Sequence, residues 1–248
     1  MPPATSEMQP DQLQQPLQAP SKKALTAQWS LRLLLALFLL GSLFYFSAGS
    51  VYYWQAAVYL AAVFIPLAAI SAIFLARNPA IIQRRLQIQE ISRTQRALIR
   101  AFRPLFLFML LIPGFDYRLS LSRSITGPVP LGLTITGDVL VILGLVFAGW
   151  VLRINEFAGR SIQVEPRQPL VSSGPYVVVR HPLYSASLLI WLATPLALGS
   201  WIALPLFALL VPFYVLRLMN EELVLIRDLP GYKAYCKRTP FRLVPFVW

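Results

Sequence analysis

LGLTITGDVLVILGLVFAGWVL, residues 131–152, decides the class of this protein. The bilayer core offers no water to backbone groups, so a chain crosses it as a closed hydrogen-bonded structure, and a helix needs roughly 20 apolar residues to do so. The run meets that length. Gly137, Gly144 and Gly149 also give it places where a neighbouring helix can approach closely. Similar runs lie on both sides. Upstream, 29–46 and 51–76 are joined through Ser47, Ala48, Gly49 and Ser50 as a helical hairpin. The next, 98–119, reaches spanning length only by recruiting Arg100 and Arg103 as snorkelling residues. Downstream, 183–198 and 201–218 meet at Gly199 and Ser200, a break short enough for a second tight hairpin. The count is six spans, or five if 98–119 is re-entrant.

Composition agrees. Of the 248 residues, 57% are hydrophobic and 13% charged, a balance foreign to soluble domains. The net charge of +12 is spread in short Lys/Arg runs between apolar segments, which is the distribution of topology-setting charges and argues against a nucleic-acid partner. Residues 77–103 carry Arg84, Arg85, Arg93, Arg96 and Arg100 against Glu90, which the positive-inside rule places in the cytoplasm. Six spans then bring 153–180, 221–248 and both termini to the same side. Residues 1–28, rich in Pro, Gln and Ser, offer no apolar face and are expected to be a disordered tail. N-terminal transmembrane helices and the basic loop follow over 29–152, and 153–248 forms the functional core. The expected fold is an all-α polytopic membrane bundle whose C-terminal cofactor-binding region lies at the cytoplasmic face. Cys236 and His181 are the only cysteine and histidine, which excludes intrachain disulfides and multi-Cys or multi-His metal sites.

Chemistry-bearing residues gather in 162–248. Gly174-Pro175-Tyr176 and Arg180-His181-Pro182-Leu183-Tyr184 precede one span, and Arg217, Glu221 and Glu222 stand where the next one leaves the membrane. Since the two spans form a hairpin, both clusters return to one face. Arg217 and Glu221 are four apart and share a helical face. Singly, each has an ordinary reading: an interfacial ion pair, a histidine at a helix start beside a first-turn proline, tyrosines of an interfacial belt.

In order and spacing, 155–248 resembles the isoprenylcysteine carboxyl methyltransferase family and the neighbouring phospholipid methyltransferases. The resemblance rests on Leu170-Val171-Ser172-Ser173-Gly174-Pro175-Tyr176, Arg180-His181-Pro182-Leu183-Tyr184, Glu221-Glu222-Leu223 and Gly231-Tyr232-Lys233-Ala234-Tyr235, with Asn78-Pro79 and Arg84-Arg85 as a weaker upstream match. It implies an integral membrane methyltransferase using S-adenosyl-L-methionine. The donor-binding positions it implies are Gln163, Gln168, Leu170, Val171, Tyr176, His181, Pro182, Tyr184 and Glu221, and the acceptor-facing arginine is Arg217.

Physical chemistry adds its own expectations. A donor bearing a sulfonium and an ammonium suits the carboxylate of Glu221 and the faces of Tyr176 and Tyr184. Its carboxylate suits Arg180 and the main-chain N–H groups near His181. No G-x-G-x-x-G is present, so the soluble methyltransferase fold is not indicated. The acceptor is expected to be a lipophilic or prenylated molecule reaching the site from the bilayer, a carboxylate in the first instance. Phospholipid N-methylation, a non-catalytic scaffold and a membrane reductase related to sterol reductases are the competing readings.

Overall fold

The computed structural model describes residues 21–86, 93–158, 164 and 168–248, and among these every regular element is helical. In chain order they are α1 (Lys22–Ala48), α2 (Trp54–Arg77), α3 (Pro79–Leu86), α4 (Arg93–Leu119), α5 (Leu121–Ile125), α6 (Leu131–Ile154), a 3-10 turn (Gly174–Val177), α7 (Pro182–Ala197), α8 (Ala203–Ala208), α9 (Leu210–Asp228) and α10 (Tyr232–Arg238). Five stretches are long and apolar enough to cross a membrane: α1, α2, α4, α6, and α8 with α9 taken together.

The sixth apolar helix is α7, with 16 residues. At ~1.5 Å per residue it covers about 24 Å, short of the ~30 Å hydrocarbon core. The short element was expected at 98–119. Instead α4 runs unbroken through Pro104 and Pro113, because in a membrane bundle neighbouring helices re-satisfy the backbone groups that proline frees. Two further boundaries differ. Helix α1 begins at Lys22, inside the expected tail, where the Ser21 hydroxyl accepts a hydrogen bond from the Ala24 N–H. Helix α9 continues past the expected end of the span at 218 to Asp228, so Arg217, Glu221 and Glu222 all stand on one helix.

The glycines of α6 explain how the bundle closes. A Cβ at Gly137 would lie 2.5 Å from the Ala197 backbone nitrogen, and one at Gly144 would lie 2.6 Å from the Ile190 side chain, so α6 and α7 touch backbone to backbone along this face. Gly149 makes a similar if looser approach to Ile70 on α2. Helices α1 and α4 cross at Gly114, where a Cβ would overlap the Ser47 side chain. Around these crossings pack two cores, one about Phe44, Tyr53, Tyr59 and Leu198, the other about Met109, Phe207, Leu210 and Leu218.

The turn after α7 sets the antiparallel return. Gly199 has φ +69°, which L side chains rarely adopt, and its N–H closes on Leu196 O. At the same end Asp116 is buried and accepts from the Ser122 N–H at 2.7 Å, the Ser122 hydroxyl, and the Ser200 hydroxyl at 2.5 Å. The Ser122 oxygen in turn receives the N–H groups of Trp201 and Ile202. One carboxylate thereby ties the loop after α4 to the α7–α8 turn.

Candidate active site

At the other end of the hairpin, Arg180 and His181 are held in place before α7 starts. Their N–H groups donate to Phe241 O at 2.9 Å and Arg242 O at 3.0 Å, so the C-terminal segment lies along the lead-in to the helix. Pro182 then supplies the first helical position, where a missing N–H costs nothing. Ser185 donates to Leu243 O at 2.6 Å and fastens the same segment one turn later.

Glu222 is the hub of this end. It is buried, and its carboxylate accepts from Arg180 Nε at 2.6 Å and Arg242 Nε at 2.9 Å, with His181 Nε2 at 3.3 Å. Arg180 Nη1 also donates to the carbonyls of Thr239 and Pro240, each at 3.1 Å. Two guanidinium groups on one carboxylate, with carbonyls taking further donors, is the kind of compensation a buried charge requires. Glu222 thus fastens α9, the His-Pro lead-in and the C-terminal segment into one unit.

The neighbouring Glu221 faces the other way, into a cavity that opens to the outside. Tyr184 Oη donates to Glu221 Oε2 at 2.5 Å and accepts from Arg217 Nε at 3.1 Å, so the expected pairing along α9 is bridged by a tyrosine of α7. Arg217 is buried, and its Nη1 reaches Gln95 Oε1 on α4 at 3.4 Å. The rings of His181 and Tyr184 stack with centroids 5.8 Å apart.

The rest of the wall comes from loops. Tyr176 is held by Asn155 Nδ2, which donates to its hydroxyl at 3.0 Å, and by Tyr235, whose hydroxyl donates to Tyr176 O at 2.7 Å. Burial raises the hydroxyl pKa of Tyr176 and Tyr232 well above the ordinary phenol range and pushes Tyr235 up to about 12, so all three stay neutral at physiological pH. Helix α3 props the wall at 155–158 from behind: Asn78 Nδ2 donates to Glu156 Oε2 at 3.1 Å, the Arg84 guanidinium lies 4.3 Å over the Phe157 ring, and Arg85 donates to Ala158 O.

A family model, phospholipid methyltransferase, matches residues 133–229. Over those residues the chain is similar to that family. The isoprenylcysteine carboxyl methyltransferase family that the motifs resemble falls within the same group. The chain is also similar to the Delta(14)-sterol reductase TM7SF2 of Mus musculus, 28% identical over 152 residues covering 54% of this chain and 36% of that protein. The chain therefore spans about a third of the length of that relative.

Within the family region the structure brings Tyr176, Arg180, His181, Tyr184 and Glu221 to the cavity together with Gln168, Leu170 and Val171. Gln163 lies outside the described residues. Pro182 is buried in the start of α7, and Arg217 reaches the wall through the Tyr184 hydroxyl. The donor-carboxylate role expected of the N–H groups at 180–181 and of the Arg180 guanidinium meets competition from the protein itself: both N–H groups and the Nε and Nη1 of Arg180 serve Glu222 and the C-terminal segment. The sequence reading passed over Asn155, Tyr232, Tyr235, Gln95 and the separate part played by Glu222. The Glu221-Glu222 doublet and the two tyrosines were visible within the quoted motifs; Gln95, 122 positions from Arg217, carried no signal.

Proposed function

We propose that this protein is an integral membrane methyltransferase that transfers a methyl group from S-adenosyl-L-methionine to a lipophilic carboxylate such as an isoprenylcysteine. The observation that carries this reading is the Arg217–Tyr184–Glu221 relay at the wall of an aromatic cavity, with an acidic group on the cavity side and a guanidinium behind it. S-adenosyl-L-methionine, when bound, supplies a methyl group on a positively charged sulfur. Glu221 and the faces of Tyr176 and Tyr184 would hold the positive part of that molecule, and Leu170, Val171 and Leu225 its flat apolar part. Arg217 would hold the acceptor carboxylate, with Tyr184 fixing its orientation.

The transfer forms an oxygen–carbon bond as the sulfur–carbon bond breaks, and the carboxylate and sulfonium charges cancel. No proton moves. What the protein supplies is alignment and a dry surround. The carboxylate reading is favoured over an amine acceptor because an amine must lose a proton, and the Nε2 of the single histidine is already engaged by Glu222 and, at 3.4 Å, by the Tyr232 hydroxyl. The distribution of arginines between the spans supports a cytoplasmic orientation of the site.

The sterol-reductase similarity supports a second reading, reduction with a nicotinamide cofactor. Charge weighs against it. Among the described residues the cavity wall carries a carboxylate and the engaged Arg180, a setting for a cation rather than for a polyphosphate. Purified protein should bind S-adenosylhomocysteine with micromolar affinity and move labelled methyl groups to a prenylcysteine analogue. Labelling of a phospholipid instead would change the acceptor assignment. NADPH binding without donor binding would replace the reading altogether.

A further inference from the structure

Helix α7 is too short for the hydrocarbon core, and the 241–248 segment packs where it falls short. With the polar Asp116 turn at the far boundary, the ~24 Å of α7 leave about 6 Å of acyl region unfilled at the end that carries Arg180 and His181. Backbone at that depth has to find its partners in the protein. The N–H groups of Arg180 and His181 find them on Phe241 and Arg242, and one turn into α7 the Ser185 hydroxyl donates to Leu243 O. Leu243 is buried, and it shares its cluster with Leu218 and with Leu188, six positions after Pro182. The segment thus runs down beside the first two turns of α7 instead of lying over the mouth of the bundle.

Its own backbone closes on itself. Arg242, Leu243 and Val244 donate to Trp248 O at 2.8, 3.0 and 3.3 Å, and Val247 and Trp248 donate to Val244 O, each at 3.2 Å. Pro245 has no N–H to place. A loop in water has no need of such closure, because solvent serves its backbone. The side chains point to the same surroundings. Val244, Phe246 and Val247 are 50%, 89% and 77% exposed, and Val177 and Val178 of the lead-in to α7 are exposed as well. Phe246 holds φ +63°, a conformation that bulky residues avoid, while its ring meets the protein at Phe241 with centroids 5.2 Å apart. Exposed Lys237 and Arg238 of α10 stand a few residues before the loop, and large apolar side chains flanked by cations are the pattern of an interfacial anchor.

We infer that residues 242–248 form a loop inserted into the acyl region of the leaflet beside the candidate active site, with Lys237 and Arg238 at the level of its anionic headgroups. The partner is a lipid surface, and the consequence is positional. The segment carries the carbonyls that hold Arg180 and His181 and the guanidinium that meets Glu222, so the bilayer keeps that wall of the cavity in place. Insertion is independent of the methyltransferase reading; its effect on donor binding rests on that reading.

The test uses the full chain in vesicles of phosphatidylcholine with phosphatidylglycerol. In a Cys236→Ser background, nitroxide labels are attached through Val247→Cys and, on α10, through Lys233→Cys. The label at 247 should be relaxed more by oxygen, which concentrates among acyl chains, than by a water-soluble nickel chelate, and the label at 233 the reverse. Chelate access at 247 equal to that at 233 would overturn the insertion. Phe246→Asp reads the same placement without a label. On a water-facing loop the change is harmless, since Asp tolerates a positive φ better than Phe and the ring buries little. Among acyl chains it expels the loop: S-adenosylhomocysteine binding should weaken about ten-fold and the melting temperature fall, with Phe246→Leu close to the parent. Unchanged melting in Phe246→Asp would contradict the inference. Replacing the phosphatidylglycerol by phosphatidylcholine should weaken parental binding about five-fold, and the Lys237→Gln, Arg238→Gln double variant should lose that dependence. An equal response in parent and double variant would overturn the headgroup contact. Oxygen-accessible labels at 247 in a protein that binds no donor would leave the inserted loop standing and remove the methyltransferase reading.

Discussion

The two ends of this bundle solve the same problem with different chemistry. Each has a buried carboxylate that gathers loops: Asp116 at one end, Glu222 at the other. Asp116 is met by two hydroxyls and a backbone N–H, all neutral, and holds α5 to the α7–α8 turn. Glu222 is met by two guanidinium groups and a histidine, and stands beside a second carboxylate that the hub leaves to the cavity. Both ends border open cavities, and the one beside Asp116 is the larger, about 300 Å³ against about 80 Å³ beside Glu221. Size therefore does not single out the Glu222 end. What does is the aromatic wall and the relay through Tyr184, which are found at the Glu222 end.

If that contrast is right, neutralising the two hubs should have unequal effects. Glu222→Gln strands Arg180 and Arg242 without their shared counter-charge, and breaking a buried ion pair costs about 3–5 kcal/mol. Asp116→Asn keeps neutral partners around a neutral group and should cost about 1–3 kcal/mol. Thermal unfolding in detergent compares them directly, and equal losses would erase the distinction drawn here. Gly137→Ala acts at the α6–α7 contact between the two ends. A methyl 2.5 Å from the Ala197 nitrogen forces the helices apart, an overpacking cost of about 1–3 kcal/mol, with reduced donor affinity because α7 carries Tyr184.

Much of this was legible in the amino-acid sequence, for a physical reason. The second hairpin and the meeting of Tyr184 with Glu221 follow from two apolar runs separated by Gly199 and Ser200, since a break that short leaves one way to return. The shortness of α7 was already present in the bounds of the run 183–198, which are set by Pro182 and by Gly199, whose positive φ ends the helix. The reach of α9 to Asp228 was not legible, because the charges from Arg217 onward mark where the apolar run stops and not where the helix does. Contacts such as Asp116 with Ser200 and Gln95 with Arg217 join positions that no local pattern relates.

Smaller effects sharpen the picture at the cavity wall. Tyr235→Phe loses the bond to Tyr176 O and should cost about 1 kcal/mol, read as a modest fall in melting temperature. The alkaline limb of stability should also be set here. Tyr235 is raised from 10.0 to about 12 by burial, so the unfolded chain loses its proton first; its contribution is intact below pH 10 and is lost as pH rises from there through about 12. In Tyr235→Phe that part of the decline should be reduced.

The division of labour between the two charges joined by Tyr184 is the core of the account, and one paired measurement addresses it: S-adenosyl-L-methionine affinity, turnover and melting temperature in Glu221→Gln and in Arg217→Ala. Glu221→Gln should weaken donor binding about ten-fold, the loss expected when a charged contact becomes a neutral one. Arg217→Ala should keep donor affinity close to that of the parent and lower turnover, since its contact is to the other substrate. If both variants merely melt at lower temperature, with unchanged affinity and turnover in the folded fraction, the relay is structural and the assignment of an active site to this cavity fails.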